Sequence, residues 1–184
     1  MQEDEFRIIA QVQKGDKEKF GILYDRYIKK IYDFVYFKTS HKETAEDLVS
    51  IIFSKALEKI STFDSKDKFS SWIYRIARNT VIDYYRTKKQ DVNIEDAWDV
   101  TEDSDIEQDL DNKEKLAEVK KYLNKLKSEQ RDIIIMRVWQ EMSYTEIAEI
   151  VGKSEASCKM VFSRVMKELR AEIIITLIIL FVLN

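Results

Sequence analysis

The stretch SYTEIAEIVGKSEASCKMVFSRVMKELR, residues 143–170, decides the fold of the C-terminal half of the chain. It opens on a Ser-x-x-Glu capping box, in which the side chains of Ser143 and Glu146 each accept a hydrogen bond from the other residue's backbone N–H. The apolar positions that follow lead to Gly152, which suits the left-handed conformation that ends many helices. Ser154 can then cap another helix. The sequence therefore predicts two helices joined by a tight turn.

The second of these helices has two different faces when its residues are placed 100° apart. One narrow arc, which we expect to be buried, carries Cys158, Phe162, Val165 and Leu169. The opposite side suits a DNA major groove, where small side chains allow close approach and basic ones meet phosphates and guanine edges. The residues predicted to contact DNA are Ser154, Ala156, Ser157, Lys159, Met160, Ser163, Arg164 and Lys167. An ordinary helical hairpin with a solvated basic face is the alternative.

An earlier stretch, WIYRIARNTVIDYYR (residues 72–86), likewise has an apolar and a polar side when it is placed on a helix. Its apolar side consists of Ile73, Ile76, Ala77, Thr80, Val81 and Tyr84. Its polar side consists of Arg75, Arg78, Asn79, Ile82 and Arg86, with Asp83 at the edge. Arginines there can meet phosphates, and nearby aromatic rings can stack on single-stranded bases. The rings predicted to do so are those of Phe63, Phe69 and Tyr85. A solvated helix beside aromatic core residues is the alternative.

Composition favours an all-α fold. The 184 residues include no Pro and only 3 Gly, which argues against hairpin-rich sheets and glycine-lined nucleotide loops. Helical spacing is sustained over long runs, as in Phe20, Leu23, Tyr24, Tyr27, Ile28, Ile31 and Val35. One Cys and one His argue against an internal disulfide and a structural zinc site. Carboxylates such as Glu46, Asp47 and Asp83 have no nucleophile or base beside them, so we expect neither an enzyme nor a cofactor.

Charge and hydropathy divide the chain into four segments. Residues 90–112 contain 10 acidic and no basic side chains, with too few apolar residues for a core, which predicts a flexible acidic linker. Removing 10 of the 34 acidic residues leaves 24 against 31 basic ones, a net charge of +7 elsewhere. We expect small helical domains at 1–89 and 113–170 and an apolar tail at 171–184. The acidic N-terminus is unlike a secretory signal, which makes the cytoplasm the expected location.

Residues in both predicted domains resemble the extracytoplasmic-function (ECF) sigma factors of bacterial RNA polymerase. The resemblance to region 2 of that family rests on Gly15-Asp16, Phe20, Leu23-Tyr24, Ala45-Glu46-Asp47-Leu48, Phe53, Ala56, Phe63, Trp72, Ile76-Ala77-Arg78-Asn79, Asp83 and Arg86. The resemblance to region 4 rests on Leu126, Gln130-Arg131, Tyr144, Glu146-Ile147-Ala148, Gly152, Ser157, Lys159, Arg164 and Leu169-Arg170. Lys127 stands where the family usually has Pro, so we expect Ser128 to cap the following helix.

The resemblance implies a non-enzymatic subunit that brings RNA polymerase to promoters and helps to open them for transcription initiation. Its region 2 would dock on the clamp of the largest polymerase subunit through Asp47, Leu48, Ser50 and Phe53. It would hold the single-stranded minus-ten element, with one base flipped out, through Arg75, Arg78, Asn79, Asp83 and Arg86. Region 4 would bind the minus-thirty-five element as duplex. The resemblance also implies an anti-sigma factor, and a helix-turn-helix regulator that does not act as a sigma subunit is the alternative.

The apolar tail is not part of the family pattern. Residues 173–183 are apolar except for Thr176 and, as a helix, would extend about 16 Å, whereas a membrane-spanning helix needs about 20 apolar residues. We therefore expect the tail not to cross a membrane. Because it is apolar all round, it should pack against the chain's own domains or an anti-sigma partner. Contact with a membrane surface is the second choice, and a terminal extension without function is the third.

Overall fold

The computed structural model describes residues 2–64, 68–91 and 121–183, and every regular element in these ranges is a helix. The chain divides into two compact units, Met1–Lys125 and Leu126–Asn184. The first contains α1 (Gln2–Gln13), α2 (Phe20–Thr39), α3 (Lys42–Lys59) and α4 (Phe69–Asp91), with 3-10 turns at Lys17–Lys19 and Ile60–Thr62. The second contains α5 (Ser128–Val138), α6 (Tyr144–Val151) and α7 (Glu155–Leu183). The predicted all-α class with two helical bodies is confirmed; residues 92–112 of the predicted linker lie outside the described residues.

The core of the first unit lies where the apolar sides of α2, α3 and α4 meet. The predicted stripe on α2 contributes Leu23, Ile31 and Val35, which have no exposed surface. Tyr24, which shares the helical spacing of these residues, is exposed. Its ring meets that of Phe53 on α3 edge-on, with the ring centres 4.7 Å apart. The apolar stripe of α2 is therefore wider than the surface that α3 and α4 cover.

A short turn reverses the chain between α2 and α3. Ser40 takes the left-handed conformation (φ 54°), and its N–H donates to the Tyr36 carbonyl at 2.7 Å, which ends α2. His41 then caps α3, because its Nδ1 accepts from the Thr44 N–H at 3.3 Å. A left-handed residue followed directly by a cap leaves no room for a longer loop. The two helices consequently pack side by side.

The helix-turn-helix of the second unit forms as its capping residues predict. Ser143 Oγ accepts from the Glu146 N–H at 3.2 Å, and the Glu146 carboxylate accepts from the Ser143 N–H at 3.0 Å. Gly152 ends α6 with a φ of 72°. Ser154 Oγ accepts from the Ser157 N–H at 3.2 Å and so caps α7. Local hydrogen bonds fix both helix starts and the turn between them.

The predicted burial of the α7 arc is complete at two of its four residues. Cys158 and Val165 have no exposed surface, and burial raises the pKa of the Cys158 thiol. Phe162, at one edge of the arc, and Leu169, one turn after Val165, are half-buried. The opposite side of α7 therefore faces solvent.

The cap predicted for α5 is wrong by one residue. Ser128 is the first residue of the helix, and the preceding Lys127 has the capping position. The Gln130 side chain accepts from the Lys127 N–H at 3.0 Å. The side-chain amide of Gln130, in the third position of the helix, therefore makes the capping hydrogen bond. The Ser128 hydroxyl had been expected to make it.

Helix α7 continues beyond the helix-turn-helix to Leu183. Its 29 residues correspond to a length of about 43 Å at 1.5 Å per residue. The apolar tail is therefore a continuation of the helix that carries the predicted DNA-binding face, while the surroundings of side chains 172–183 lie outside the described residues. In the described part of the chain, no helix has both the length and the apolar character needed to cross a membrane.

Replacing Gly152 by Ala should weaken the second unit, because a φ of 72° strains an L side chain although the space for a Cβ is open. We expect the opening free energy of α6, measured by hydrogen exchange of its amides, to fall by about 1 kcal/mol. Gly21, inside α2 with open space around it, is the matched control. Gly21→Ala should stabilise the first unit by about 0.5–1 kcal/mol. Effects of the same sign at both glycines would contradict this account.

Candidate nucleic-acid interface

The first candidate surface is the polar side of α4. Asn79 and Arg86 are exposed, whereas Arg75, Arg78 and Asp83 are half-buried. Asp83 Oδ1 lies 3.0 Å from Arg86 Nη2, one turn away. These five residues, called the α4 polar face below, combine three cations with one exposed amide and one carboxylate. Such a set can bind phosphates and contact base edges.

The opposite side of α4 is buried and holds the helix in one orientation. The side chains without exposed surface are Ile73, Tyr74, Ala77 and Val81. Two hydrogen bonds add to this packing: Lys55 Nζ on α3 donates to the Thr80 hydroxyl at 3.2 Å, and the Tyr85 hydroxyl donates to the Lys38 carbonyl on α2 at 3.1 Å. Because α4 is joined to both neighbouring helices, the direction of its polar face is fixed.

Aromatic rings before and at the start of α4 form a buried cluster, so the prediction that Phe63 and Phe69 stack on unpaired bases is wrong for this conformation. Their exposed fractions are 5% and 1%. The ring centre of Phe69 lies 5.3 Å from that of Tyr27 and 5.8 Å from that of Phe63. Trp72 is half-buried, with its ring centre 5.4 Å from that of Phe63. Trp72 is thus the ring of this cluster with surface to offer a base.

A single amide on α1 anchors the segment that leads to α4. Gln13 Nε2 donates to the carbonyl oxygens of Ile60 and Phe63, both at 2.9 Å. The Phe63 N–H also donates to the Ile60 carbonyl at 3.1 Å. Gln13 therefore clamps both ends of the 3-10 turn Ile60–Thr62. This contact fixes where the chain leaves α3 on its way to α4.

The second candidate surface is the side of α7 opposite its buried arc. It consists of the eight residues predicted to contact DNA, from Ser154 to Lys167, and is called the outer face of α7 below. All eight are exposed except Ser157, which is half-buried. Lys159, Arg164 and Lys167 place three cations on this face. Exposed cations between small side chains on one helix suit a major groove.

Contacts around Tyr144 fix the orientation of α7 within the second unit. The ring meets that of Phe162 on α7 edge-on, with the ring centres 5.9 Å apart. The guanidinium of Arg137 on α5 lies 4.9 Å from the centre of the Tyr144 ring, and Lys159 Nζ lies 5.7 Å from it. Arg137 also donates to the Met142 carbonyl at 2.8 Å. One ring at the start of α6 thus joins all three helices.

A carboxylate stands at the start of α7 beside the cations of its outer face. Glu155 forms an ion pair with Lys159 and accepts from the Thr145 hydroxyl at 3.1 Å. The hydrogen bond with Lys159, and then the one with Thr145, lowers the pKa of Glu155. The N-terminal end of a helix favours the same charged form. Glu155 therefore stays ionised at neutral pH and competes with phosphate for Lys159.

The third candidate surface is a groove of about 550 Å³ between α2 and α3, called the α2–α3 groove below. Its lining is largely apolar and aromatic and consists of Phe20, Tyr24, Ile28, Tyr32, Val49, Phe53 and Leu57, with Lys29, Glu46, Ser50 and Ser54. Asp47 and Ile51 are exposed on α3 as well. An apolar groove with a polar rim suits a protein partner.

The four residues predicted to dock on polymerase differ in burial. Asp47 and Ser50 are exposed, whereas Leu48 and Phe53 are each only 4% exposed. Phe53 meets Phe20 edge-on, with the ring centres 6.4 Å apart. Leu48 and Phe53 therefore belong to the core that holds α3 in place, and of the two only Phe53 lines the α2–α3 groove.

Sequence patterns did not identify Gln13 or the α2–α3 groove. The partners of Gln13 lie 47 and 50 residues along the chain, and no helical period connects residues so far apart. One feature of the sequence nevertheless corresponds to the groove. Tyr24, Ile28 and Tyr32 recur at intervals of four residues and mark a second apolar stripe on α2, beside the one that forms the core.

Comparison with known proteins finds two family models along the chain. The model of Sigma-70 region 2 matches residues 23–90, and that of Sigma-70 region 4 matches residues 116–169. The chain is 34% identical to the RNA polymerase sigma factor YlaC of Bacillus subtilis over 80% of this chain and 88% of that one. It is 31% identical to the ECF RNA polymerase sigma factor SigW of the same organism, over 90% and 94%. The ECF sigma factor BldN of Streptomyces coelicolor is 32% identical, and the match spans 88% of this chain but only 63% of BldN.

Two solved structures share the fold. One is the sigma factor RpoE of Bartonella quintana in complex with the anti-sigma factor NepR, with a TM-score of 0.72 and 26% identity over 84% of this chain and 96% of that one. The other is CnrH in complex with the cytosolic domain of CnrY, with a TM-score of 0.71 and 23% identity over 90% and 94%. The second likeness concerns the fold alone.

Replacing Gln13 by Ala should loosen the segment before α4, because two hydrogen bonds to its backbone carbonyls are lost. At a net of about 1 kcal/mol per bond, the Phe63 amide should exchange with solvent at least about tenfold faster. Gln11→Ala is the matched control, since Gln11 is an exposed glutamine on the same helix. Equal exchange rates in the two variants would show that the Gln13 amide does not anchor this segment.

Proposed function

Because the chain belongs to the ECF sigma factors of bacterial RNA polymerase, we propose that its three surfaces divide the work of transcription initiation. The α4 polar face binds the single-stranded minus-ten element, and the outer face of α7 binds the minus-thirty-five element as duplex. The α2–α3 groove and its rim dock on the clamp of the largest polymerase subunit. The observation that carries the proposal is that each sigma region has a helix buried on one side and basic on the other.

At the minus-ten element, the α4 polar face holds the non-template strand. Arg78 and Arg86 meet phosphates, and the exposed Asn79 amide, with donors and an acceptor, contacts base edges. Trp72 offers its half-buried ring to an unpaired base. Binding of an unstacked base offsets an unstacking cost of about a few kcal/mol, so opening needs neither ATP nor a catalytic residue. The protein acts here as a binding subunit and not as an enzyme.

At the minus-thirty-five element, the outer face of α7 meets an intact duplex. Ala156 and Ser163 are small enough to let the helix approach the bases closely. Lys159, Arg164 and Lys167 contact phosphates and guanine edges. Their charge makes this contact sensitive to salt, since each phosphate that is neutralised releases counterions. The second unit therefore anchors the promoter while the first opens it.

Polymerase docking uses the exposed part of α3. Asp47, Ser50 and Ile51 provide the contact surface, and the α2–α3 groove receives apolar side chains of the clamp. Leu48 and Phe53 act from within, by holding α3 against the core. A surface with a few exposed apolar residues beside polar ones is typical of interfaces that form and separate again.

The remaining partners follow from this function. We propose a cytoplasmic location, where polymerase and promoters are, and an anti-sigma factor as a second protein partner. The fold shared with RpoE, solved with an anti-sigma factor, supports the latter. The acidic segment outside the described residues joins the two units, and its charge suits a cationic channel of polymerase. Packing of the apolar tail against the domains or an anti-sigma factor stays a prediction.

Transcription by purified core polymerase from a pool of random promoters tests the function. A sigma factor gives initiation at a defined subset of sequences with no other factor present. A helix-turn-helix regulator that does not act as a sigma subunit gives no such transcripts until another sigma factor is added. Absence of sequence-specific initiation would overturn the proposal.

Replacing Asn79 or Arg86 by Ala should impair promoter opening without unfolding the protein, because both side chains are exposed. Loss of one base or phosphate contact should lower open-complex formation, measured by permanganate reactivity of unpaired thymines, about tenfold. Helicity and affinity for core polymerase should stay unchanged. Arg7→Ala, an exposed arginine on α1, is the control and should open promoters normally. A variant that unfolds, or opens promoters as well as Arg7→Ala, would contradict the assigned role.

Replacing Ile51 by Glu should weaken binding to core polymerase, because a charge enters the proposed docking surface. We expect affinity, measured by fluorescence anisotropy or competition with another sigma factor, to fall about tenfold. Ile22→Glu is the matched control, since Ile22 is 42% exposed against 44% for Ile51 but does not line the α2–α3 groove. Equal affinity of the two variants for core polymerase would show that the docking surface does not lie on α3.

A further inference from the structure

Met160 is an apolar side chain at the centre of a polar and basic surface. Its exposed fraction of 58% is the highest among the exposed large hydrophobic side chains of the described residues. The next highest, Val138, reaches 46%. A side chain that leaves so much apolar surface in water loses the stabilisation that burial would bring. Folding therefore does not require an apolar side chain at this position, which leaves the side chain available to a partner.

The position of Met160 on α7 is well defined. At 100° per residue, Met160 lies within about 60° of Ala156, Ser163 and Lys167, and opposite the fully buried Cys158 and Val165. Ala156, one turn earlier, is small. Ser163, about one turn later, is small as well. The thioether therefore projects between two short side chains, in the middle of the outer face of α7.

The chemistry of the neighbouring residues narrows the choice of partner. Lys159 and Arg164 flank Met160 and, like Lys167, suit the phosphates on either side of a groove. At the floor of a major groove, base edges present donors and acceptors, with one apolar group among them, the C5-methyl of thymine. A thioether has no donor and is a weak acceptor. Of the groups in a major groove, the thymine methyl is the one that matches it.

We propose that Met160 is a specificity-determining residue of the duplex element, which it selects by packing against the C5-methyl group of one or two adjacent thymines. The inference rests on the proposed function of the outer face of α7. It specifies that the face recognises a methylated pyrimidine, which the charged residues alone do not determine. Lysines and arginines on the same face supply affinity, whereas the thioether distinguishes T·A from C·G pairs at the centre of the element.

The size of the effect follows from the surface that one methyl group buries. Loss of a single buried methyl group corresponds to about a fourfold loss of affinity. A cytosine at the same position also removes the methyl. Its amino group in addition loses hydration against the thioether, a weak acceptor that replaces water poorly, so the loss of affinity should be larger. Leu in place of Met keeps the apolar contact, whereas Gln has similar length but places a polar amide there.

The test uses holoenzyme assembled from core polymerase and the full chain. Binding sites are first selected from random duplexes with the wild-type protein. Each thymine of the selected upstream element is then replaced singly by deoxyuridine, which removes the methyl and leaves the base pairing intact. Affinities are measured for wild type, Met160→Leu, Met160→Gln and Lys167→Ala at one salt concentration.

We expect deoxyuridine to lower wild-type affinity about fourfold at one or two adjacent positions. Met160→Leu should retain this discrimination, and Met160→Gln should bind thymine and deoxyuridine equally. Lys167→Ala should bind all duplexes more weakly and still distinguish thymine from deoxyuridine, because its ammonium group makes no contact that depends on the thymine methyl. Equal discrimination by wild type and Met160→Gln, or a selected element without a methyl-dependent thymine, would overturn the inference while leaving the proposed function intact. If wild-type holoenzyme selects no sequence, the proposed function itself fails, and the role of Met160 fails with it.

Discussion

The burial of one side of α4 is the constraint on which the surface of the first unit depends. Ile73, Ala77 and Val81 have no exposed surface. The Thr80 hydroxyl accepts a hydrogen bond from α3 and the Tyr85 hydroxyl donates one to α2, so the helix is joined to both neighbours. A rotation of α4 by one residue, about 100°, would expose this apolar stripe and turn arginines toward the core, at a cost of several kcal/mol. The polar face therefore has one direction. Its side chains are positioned during folding, so the proposed binding of a DNA strand would not have to order this helix.

In the second unit, a smaller core holds α7 in one orientation. Helix α6 has only eight residues, and the arc of α7 within the helix-turn-helix has two fully buried side chains, Cys158 and Val165. Capping bonds, each contributing about 1 kcal/mol, therefore carry a larger share of the stability. The Tyr144 ring adds contacts to Arg137 and Phe162. Because these contacts link α5, α6 and α7, the outer face of α7 keeps its direction although little apolar surface is buried beneath it.

The sequence predicted those features that depend on neighbours along the chain. The capping box at Ser143, the left-handed Gly152 and the two sides of α4 each follow from residues a few positions apart, and the structure has them all. Predictions failed where one side chain suits two environments. Phe63 and Phe69 would serve equally well in a core or against a base, and only the folded chain, which packs Tyr27 and Trp72 around them, decides for the core.

Both proposed DNA-binding faces carry an ion pair of their own, Asp83 with Arg86 and Glu155 with Lys159. The side chains of both pairs are 45–73% exposed, so neither pair adds much to stability. Each carboxylate nevertheless competes with phosphate for its cation and lowers the attraction of the face for any nucleic acid. Because phosphate contacts supply most of the binding to arbitrary sequences, a weakened charge leaves base contacts with a larger share of the binding free energy. A sigma factor binds a promoter through both of its units, together with polymerase. If each face alone has modest affinity, strong binding requires both faces at once, and selectivity arises from their combination.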